Sequence, residues 1–292
     1  MNILITGGSG FIGQRLVKEL SKNNIIWLVS RKTKTSINKK VLNYDDVLGF
    51  NKKDFTQIPH IDVVIHLATH FVSKHSDDDV SKIIESNILL GVRLLEICNY
   101  FGYKKIINAS SFAQSLDGIS SFPQNLYAAS KESFSVFLNY YSKSLDFNII
   151  NLEFFDCYGS NDNRKKIFNL ALEAFTKNKL FNMSKGEQEI CLIHINDLIQ
   201  AVKKAVSLLE ENKGLSNYTL LNNGNKYILK ELVFKLKKIL KSKSEIKLGF
   251  YPYRKNEIMV LKTRYSKLPG WKSKTDLKEA VKKIIKNDYN RK

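Results

Sequence analysis

Through the first half of the chain, short apolar runs alternate with longer stretches in which apolar residues recur at helical spacing. Ile3, Leu4 and Ile5 form the first run, and Ile12, Leu16, Val17 and Leu20 mark one face of a helix expected over residues 11–21. A second run covers 25–29. Residues 62–67 (Asp-Val-Val-Ile-His-Leu) form a nearly continuous one, of the kind buried on both faces of a parallel sheet. Residues 81–100 read as a helix able to bury Ile84, Ile88, Leu95 and Ile97, with Gly102 to close it. A strand is expected over 104–108, followed by Ser110 and Ser111, and a helix over 126–144 precedes a strand over 148–152. This alternation predicts an α/β fold with a Rossmann-type doubly wound parallel sheet. Its right-handed crossovers place ligands at the carboxyl ends of the strands.

Beyond Gly159 the pattern loosens into short helices, a polar stretch over 183–189, a Lys-rich amphipathic helix over 226–242 and a last helix over 275–287. We therefore expect residues 1–160 to form the Rossmann domain and residues 161–292 a smaller C-terminal α/β substrate lobe, with segments around 190–210 returning to the first domain. No Pro- or Gly-rich linker divides them, so close packing is expected.

Composition changes this picture little: 43% apolar and 26% charged residues exclude collagen-like, mucin-like and wholly disordered chains. Charge changes it more, because 47 Lys+Arg against 28 Asp+Glu give +19. The excess is almost all Lys and scattered along the chain (Lys39, Lys40, Lys165, Lys237, Lys238, Lys282), whereas gripping of bases and phosphates favours Arg. The expectation is a basic surface suited to small anionic substrates, with no nucleic-acid partner. Cys98, Cys157 and Cys191 are widely spaced and odd in number, which argues against a disulfide framework or zinc site. No signal peptide is recognisable and no run approaches the ~20 apolar residues of a membrane span, so a soluble, cytoplasmic protein is expected.

The strongest local signal is Thr6-Gly7-Gly8-Ser9-Gly10-Phe11-Ile12-Gly13, set between the first strand and the first helix. Its glycines allow a tight turn, close approach of a pyrophosphate to backbone N–H groups and close packing of helix on strand. Dinucleotide binding follows; the alternative is a glycine-rich turn without a ligand. Where an NAD site places a carboxylate about 20 positions on, the second strand ends in Val29-Ser30-Arg31-Lys32. A hydroxyl and two cations suit the 2′-phosphate of NADP, unless Arg31 and Lys32 are merely solvated surface.

Tyr-x-x-x-Lys occurs at Tyr100/Lys104, Tyr127/Lys131 and Tyr251/Lys255. Gly102 interrupts the first pair and Pro252 the last, whereas Tyr127 and Lys131 lie in an uninterrupted helical stretch after Pro123. One turn apart, both project from the same face, and an ammonium beside a phenol would lower the Tyr pKa towards a usable proton donor. Ser111, just past a strand end, could offer its hydroxyl to the same oxygen. His66, His70, His75 and His194 lack acidic partners at metal-ligand spacing, so no metal is expected and His66 and His194 are read as scaffold.

These residues together resemble the extended short-chain dehydrogenase/reductase family, the nucleotide-sugar epimerases, dehydratases and reductases. TGGSGFIG (6–13), HLAT (66–69), ESNILLGVRLLE (85–96), NASS (108–111), YAASK (127–131), CYG (157–159), HINDL (194–198) and PGWKSKTDLKEA (269–280) fall in family order over essentially the whole chain. The resemblance implies a Ser111/Tyr127/Lys131 triad, with Lys131 also on the nicotinamide ribose. It implies a cofactor held by Gly7, Gly10, Phe11, Ile12, Gly13, Ser30, Arg31, Lys32, Leu67, Ala68, Thr69, Tyr127 and Lys131. Ser111 would touch the substrate oxygen, Arg254 would meet the diphosphate, and Arg164 and Lys166 are further substrate-binding candidates. A homodimer through the helices around 81–100 and 126–144 is also implied.

Within the family, 4,6-dehydratases carry an Asp-Glu pair after the catalytic hydroxyl; here Phe112-Ala113 follow Ser111, which argues against that reaction. The resemblance is nearest the nucleotide-sugar 4-ketoreductases of the CDP-paratose and CDP-abequose synthase type. It implies NADPH-dependent reduction of the C4 keto group of a 4-keto-6-deoxy or 3,6-dideoxy sugar, in deoxysugar biosynthesis for a surface polysaccharide. A nucleotide-sugar epimerase of the same fold is the alternative, and a non-catalytic NADP-binding protein a third. Two departures bear on the sugar pocket: Asp156 stands where relatives have Asn, and Ile190-Cys191-Leu192 where they have Arg-Asp-Phe.

Overall fold

The computed structural model describes residues 1–31, 40–49, 56, 58 and 60–289. Strands β1 (Asn2–Thr6), β2 (Ile25–Ser30), β3 (Lys40–Asn43), β4 (Val63–His66), β5 (Lys105–Ser111) and β6 (Asn148–Phe154) all pair in parallel. Two later strands, Leu215–Thr219 and Ser266–Lys267, join the β6 edge. The result is one eight-stranded sheet with β4 and β5 at its middle and β1 beside β4. Successive residues alternate faces: Ile3 and Ile5 enter one core with helix α1 (Phe11–Leu20), while Leu4 enters the other. Between β3 and β4 lies the short helix α2 (Tyr44–Leu48).

The helix expected over 81–100 is longer and broken in register. Helix α3 (Asp77–Ile84) begins earlier, where the Asp79 carboxylate accepts from Ser76 N and Oγ at 2.9 and 2.8 Å. Three aspartates carry no apolar period, yet suit the first turn electrostatically. A π-turn (Glu85–Leu89) then widens the helix before α4 (Leu90–Phe101), which Gly102 ends in the left-handed conformation, φ 76°. The π-turn carries Asn87 into the interior, fully buried. Helix α5 (Leu126–Ser144) starts on an Asn125 cap whose Oδ1 accepts Ala128 N at 2.9 Å. It packs with α4 on the Leu4 face.

Across the sheet Asn108, Asn151 and Asn217 stand opposite one another. The Nδ2 of Asn108 donates to Asn151 Oδ1 at 2.7 Å, and that of Asn151 to Asn217 Oδ1 at 2.8 Å.

The remaining elements gather beyond the carboxyl ends of the strands: β7 (Asp156–Tyr158), α6 (Ile167–Thr176), β8 (Phe181–Asn182), β9 (Glu189–His194), β11 (Lys226–Ile228), α8 (Leu229–Ile239), β12 (Ile246–Lys247) and α9 (Leu277–Ile284). Here β10 (Leu215–Thr219) and β13 (Ser266–Lys267) denote the two late strands of the large sheet already given. Their core is Phe168, Phe175, Leu192, Leu232, Leu236 and Val281. Helix α7 (Ile195–Leu208) packs beside α1 on the Ile3 face. Among the described residues no helix is long and apolar enough to cross a membrane.

Candidate active site

The turn after β1 is written in backbone. Gly7 has φ +71°, and a Cβ on it would stand 2.7 Å from Ala68 N; one on Gly13 would stand 2.1 Å from Gly7 O. Gly10 caps α1, its N–H donating to Gly7 O at 3.1 Å. Thr6 Oγ1 accepts from Leu67 N at 3.2 Å and Ala68 N at 3.1 Å and bonds to His66 Nδ1 at 2.8 Å, which ties the end of β4 to the turn. His66 is buried, its pKa pushed down to about 3 chiefly by loss of water, with Lys131 nearby adding to the effect.

The turn opens onto a cleft of about 1070 Å³ at the carboxyl ends of the strands. Gly7, Gly10, Phe11, Ile12, Gly13, Leu67, Ala68 and Thr69 line it, as do Ser30 and Arg31 at the end of β2. Arg31 is exposed and lies over the Tyr44 ring, 5.8 Å from its centroid. Lys32 lies outside the described residues.

Ser111, Tyr127 and Lys131 meet on the same cleft. Ser111 ends β5, and Tyr127 and Lys131 are one turn apart near the start of α5. Lys131 is 3% exposed and makes no ion pair among the described residues; burial pushes its pKa down to about 8. Burial raises that of Tyr127, opposed by hydrogen bonds from Ser111 and Thr69. The expected lowering of the phenol by Lys131 is therefore not found: the groups that favour the phenolate are the two hydroxyls, and loss of water outweighs them.

The three substrate-site candidates also border the cleft but differ in what holds them. Arg164 is paired with Asp162 (Nε to Oδ1 2.7 Å), donates to Cys157 O at 2.8 Å and lies 4.5 Å over the Phe11 ring. Lys166 pairs with Asp156 Oδ1 at 3.0 Å and sits 4.6 Å over Phe71. Asp156, an awkward residue beside a diphosphate, is thus neutralised in place. Arg254 is exposed and makes no ion pair among the described residues. His194 caps α7, its Nδ1 accepting Asn196 N at 3.3 Å, while the Asp197 carboxylate accepts Ser273 Oγ and Thr275 N at 2.8 and 3.0 Å.

Several side chains here escaped the sequence pattern. Asn87 accepts from Thr69 Oγ1 (3.0 Å) and His70 N (2.6 Å) and donates to Ser130 Oγ (2.9 Å), fixing the loop after β4 to α5. Helical periodicity marks such a position only as core. Phe71, half exposed in the cleft, meets the Tyr127 ring edge-on at 4.8 Å. Gln114 is buried behind Ser111.

A model of the NAD dependent epimerase/dehydratase family matches residues 3–219. The chain belongs to that family. Within the epimerase/dehydratase family it is 29% identical over 294 residues to a CDP-abequose synthase of Yersinia pseudotuberculosis, covering 98% of this chain and 100% of that one. It is 24% identical over 296 residues to a CDP-abequose synthase of Salmonella typhimurium, covering 97% of both. Among solved structures, UDP-glucose 4-epimerase of Thermotoga maritima with UDP-glucose superimposes with a TM-score of 0.83 at 20% identity, over 98% of each chain, and shares the fold.

Proposed function

We propose that the chain is an NADPH-dependent 4-ketoreductase acting on a nucleotide-linked, CDP-type, 4-keto-6-deoxy or 3,6-dideoxy sugar in deoxysugar biosynthesis for a surface polysaccharide. The observation that carries the reading is the convergence of Ser111, Tyr127 and Lys131 on the cleft that the glycine turn opens onto. The end-to-end likeness to two CDP-abequose synthases supports the substrate class.

The residues fit a nicotinamide dinucleotide. The turn would receive a pyrophosphate, and a Cβ on Gly7 or Gly13 would collide with backbone. Lys131 is a buried ammonium without an ion-pair partner among the described residues, suited to the ribose hydroxyls. Ser30 and Arg31, with no carboxylate among residues 29–31, suit a 2′-phosphate. When bound, the nicotinamide supplies the hydride that reduces the carbonyl carbon.

The chain's own residues manage the proton. Tyr127 gives its proton to the developing alkoxide, and Ser111 hydrogen-bonds to the same oxygen. Phe112 and Ala113 put no carboxylate after Ser111, so nothing there removes a second proton as an elimination requires. Arg254, exposed and without an ion pair among the described residues, would meet the diphosphate. We further propose a cytoplasmic homodimer, supported by the exposed Ile84, Leu89, Val136, Phe137 and Tyr140 along α3 to α5. Light scattering at the monomer mass would overturn it.

The test follows NADPH and NADH absorbance with CDP-, GDP- and dTDP-linked 4-keto-6-deoxy sugars, with Tyr127→Phe as control. Stoichiometric NADPH loss, reduced roughly 10²–10⁴-fold in the variant, is expected. No net NADPH loss, with a Tyr127-dependent new sugar isomer by NMR, would replace the reductase with an epimerase.

A further inference from the structure

Ser111 is held by more than its own strand. Its backbone N–H donates to Gln114 Oε1 at 2.8 Å, and its Oγ accepts from Ala113 N at 3.3 Å. Gln114 is 3% exposed, and its Nε2 donates to Glu132 Oε2 at 2.7 Å and to Ser135 Oγ at 3.3 Å. The amide fits only one way round, since the carboxylate can only accept and the Ser111 N–H can only donate. Glu132 in turn takes Arg264 on both oxygens, at 2.8 and 3.0 Å. This run of polar contacts joins the end of β5, the start of α5 and the segment leading into β13.

A buried amide costs free energy unless every group is paired, and an apolar side chain would fill the space without that demand. Here the amide oxygen holds the Ser111 peptide N–H, and both amide hydrogens anchor it to Glu132 and Ser135. With the Ser111 N–H tied and the Oγ already accepting from Ala113, the hydroxyl proton is free to point into the cleft, where Tyr127 stands. We infer that Gln114, anchored by Glu132 and Arg264, is a positioning residue that presents Ser111 as a hydrogen-bond donor to the reacting oxygen. The inference rests on the reading of Ser111 given above.

A double-mutant cycle tests it. Gln114→Leu should lower kcat roughly thirtyfold, with the KM for sugar nucleotide and for NADPH changed less than about twofold. In a Ser111→Ala background the same change should cost less than about threefold, because its route is already gone. Should Gln114→Leu not fold, Arg264→Met is read through the same cycle. The full loss persisting without the Ser111 hydroxyl, or an unaltered kcat in the single variant, overturns the inference. A Ser111→Ala enzyme as fast as the parent would overturn the role given to Ser111, and with it the ketoreductase mechanism itself.

Discussion

The two walls of the cleft are built on different principles. The wall at β1, the glycine turn and the end of β4 is made of main chain, stapled by Thr6. The opposite wall, from Asp156 to Lys166 and around Arg254, is made of long side chains, several already paired with one another. A backbone wall tolerates no Cβ and leaves a fixed spelling in the sequence. A wall of ion pairs can be respelled while its charge is conserved, and so leaves little trace.

The sharpest way to break this contrast is at Gly13. Its added Cβ would meet three backbone atoms at 2.1 to 2.9 Å, so Gly13→Ala should lose roughly 3 kcal/mol of stability and all detectable NADPH binding, read by urea unfolding and calorimetry. Arg164→Ala strikes the other wall. It strands the Asp162 carboxylate, whose side chain is 1% exposed, and should cost about 2 kcal/mol while changing sugar-nucleotide KM little. Arg254→Ala should do the reverse, raising that KM roughly tenfold at unchanged stability.

Lys131→Met separates folding from chemistry. The ammonium is held at about 8 against 10.5, so the unfolded chain binds its proton more tightly. Wild-type stability therefore rises as pH climbs from about 8 to 10.5 and carries the full penalty below 8. The variant, though inactive, should gain up to about 3 kcal/mol at pH 7, a gain that fades above pH 10. The smallest effect is expected at Arg31→Ala, a rise of about fivefold in NADPH KM with NADH unaffected.

Much of the fold was legible in the sequence because periodicity reports burial: β1, α1, β4 and α5 fall where the apolar pattern puts them. What escaped did so for physical reasons. Asp77, Asp78 and Asp79 favour a helix start by charge and capping, which hydrophobic period does not register. β10 carries Ser216, Asn217 and Tyr218 one strand in from the sheet edge, without the apolar run that marked the central strands. In the site, Tyr127, Lys131 and Ser111 were readable from spacing, and the structure brings them together. The balance that sets the Tyr127 phenol was not, because it depends on how much water burial removes and on Thr69, a residue distant in sequence.

The three asparagines that cross β5, β6 and β10 have a consequence for assembly. Apolar strands attract one another in almost any alignment, and a slip by one residue turns each side chain to the wrong face. Asn151 meets Asn217, 66 residues later, through an amide pair that exists in a single alignment. The row works as an index mark: a late-arriving strand that slides past it leaves buried amides without partners.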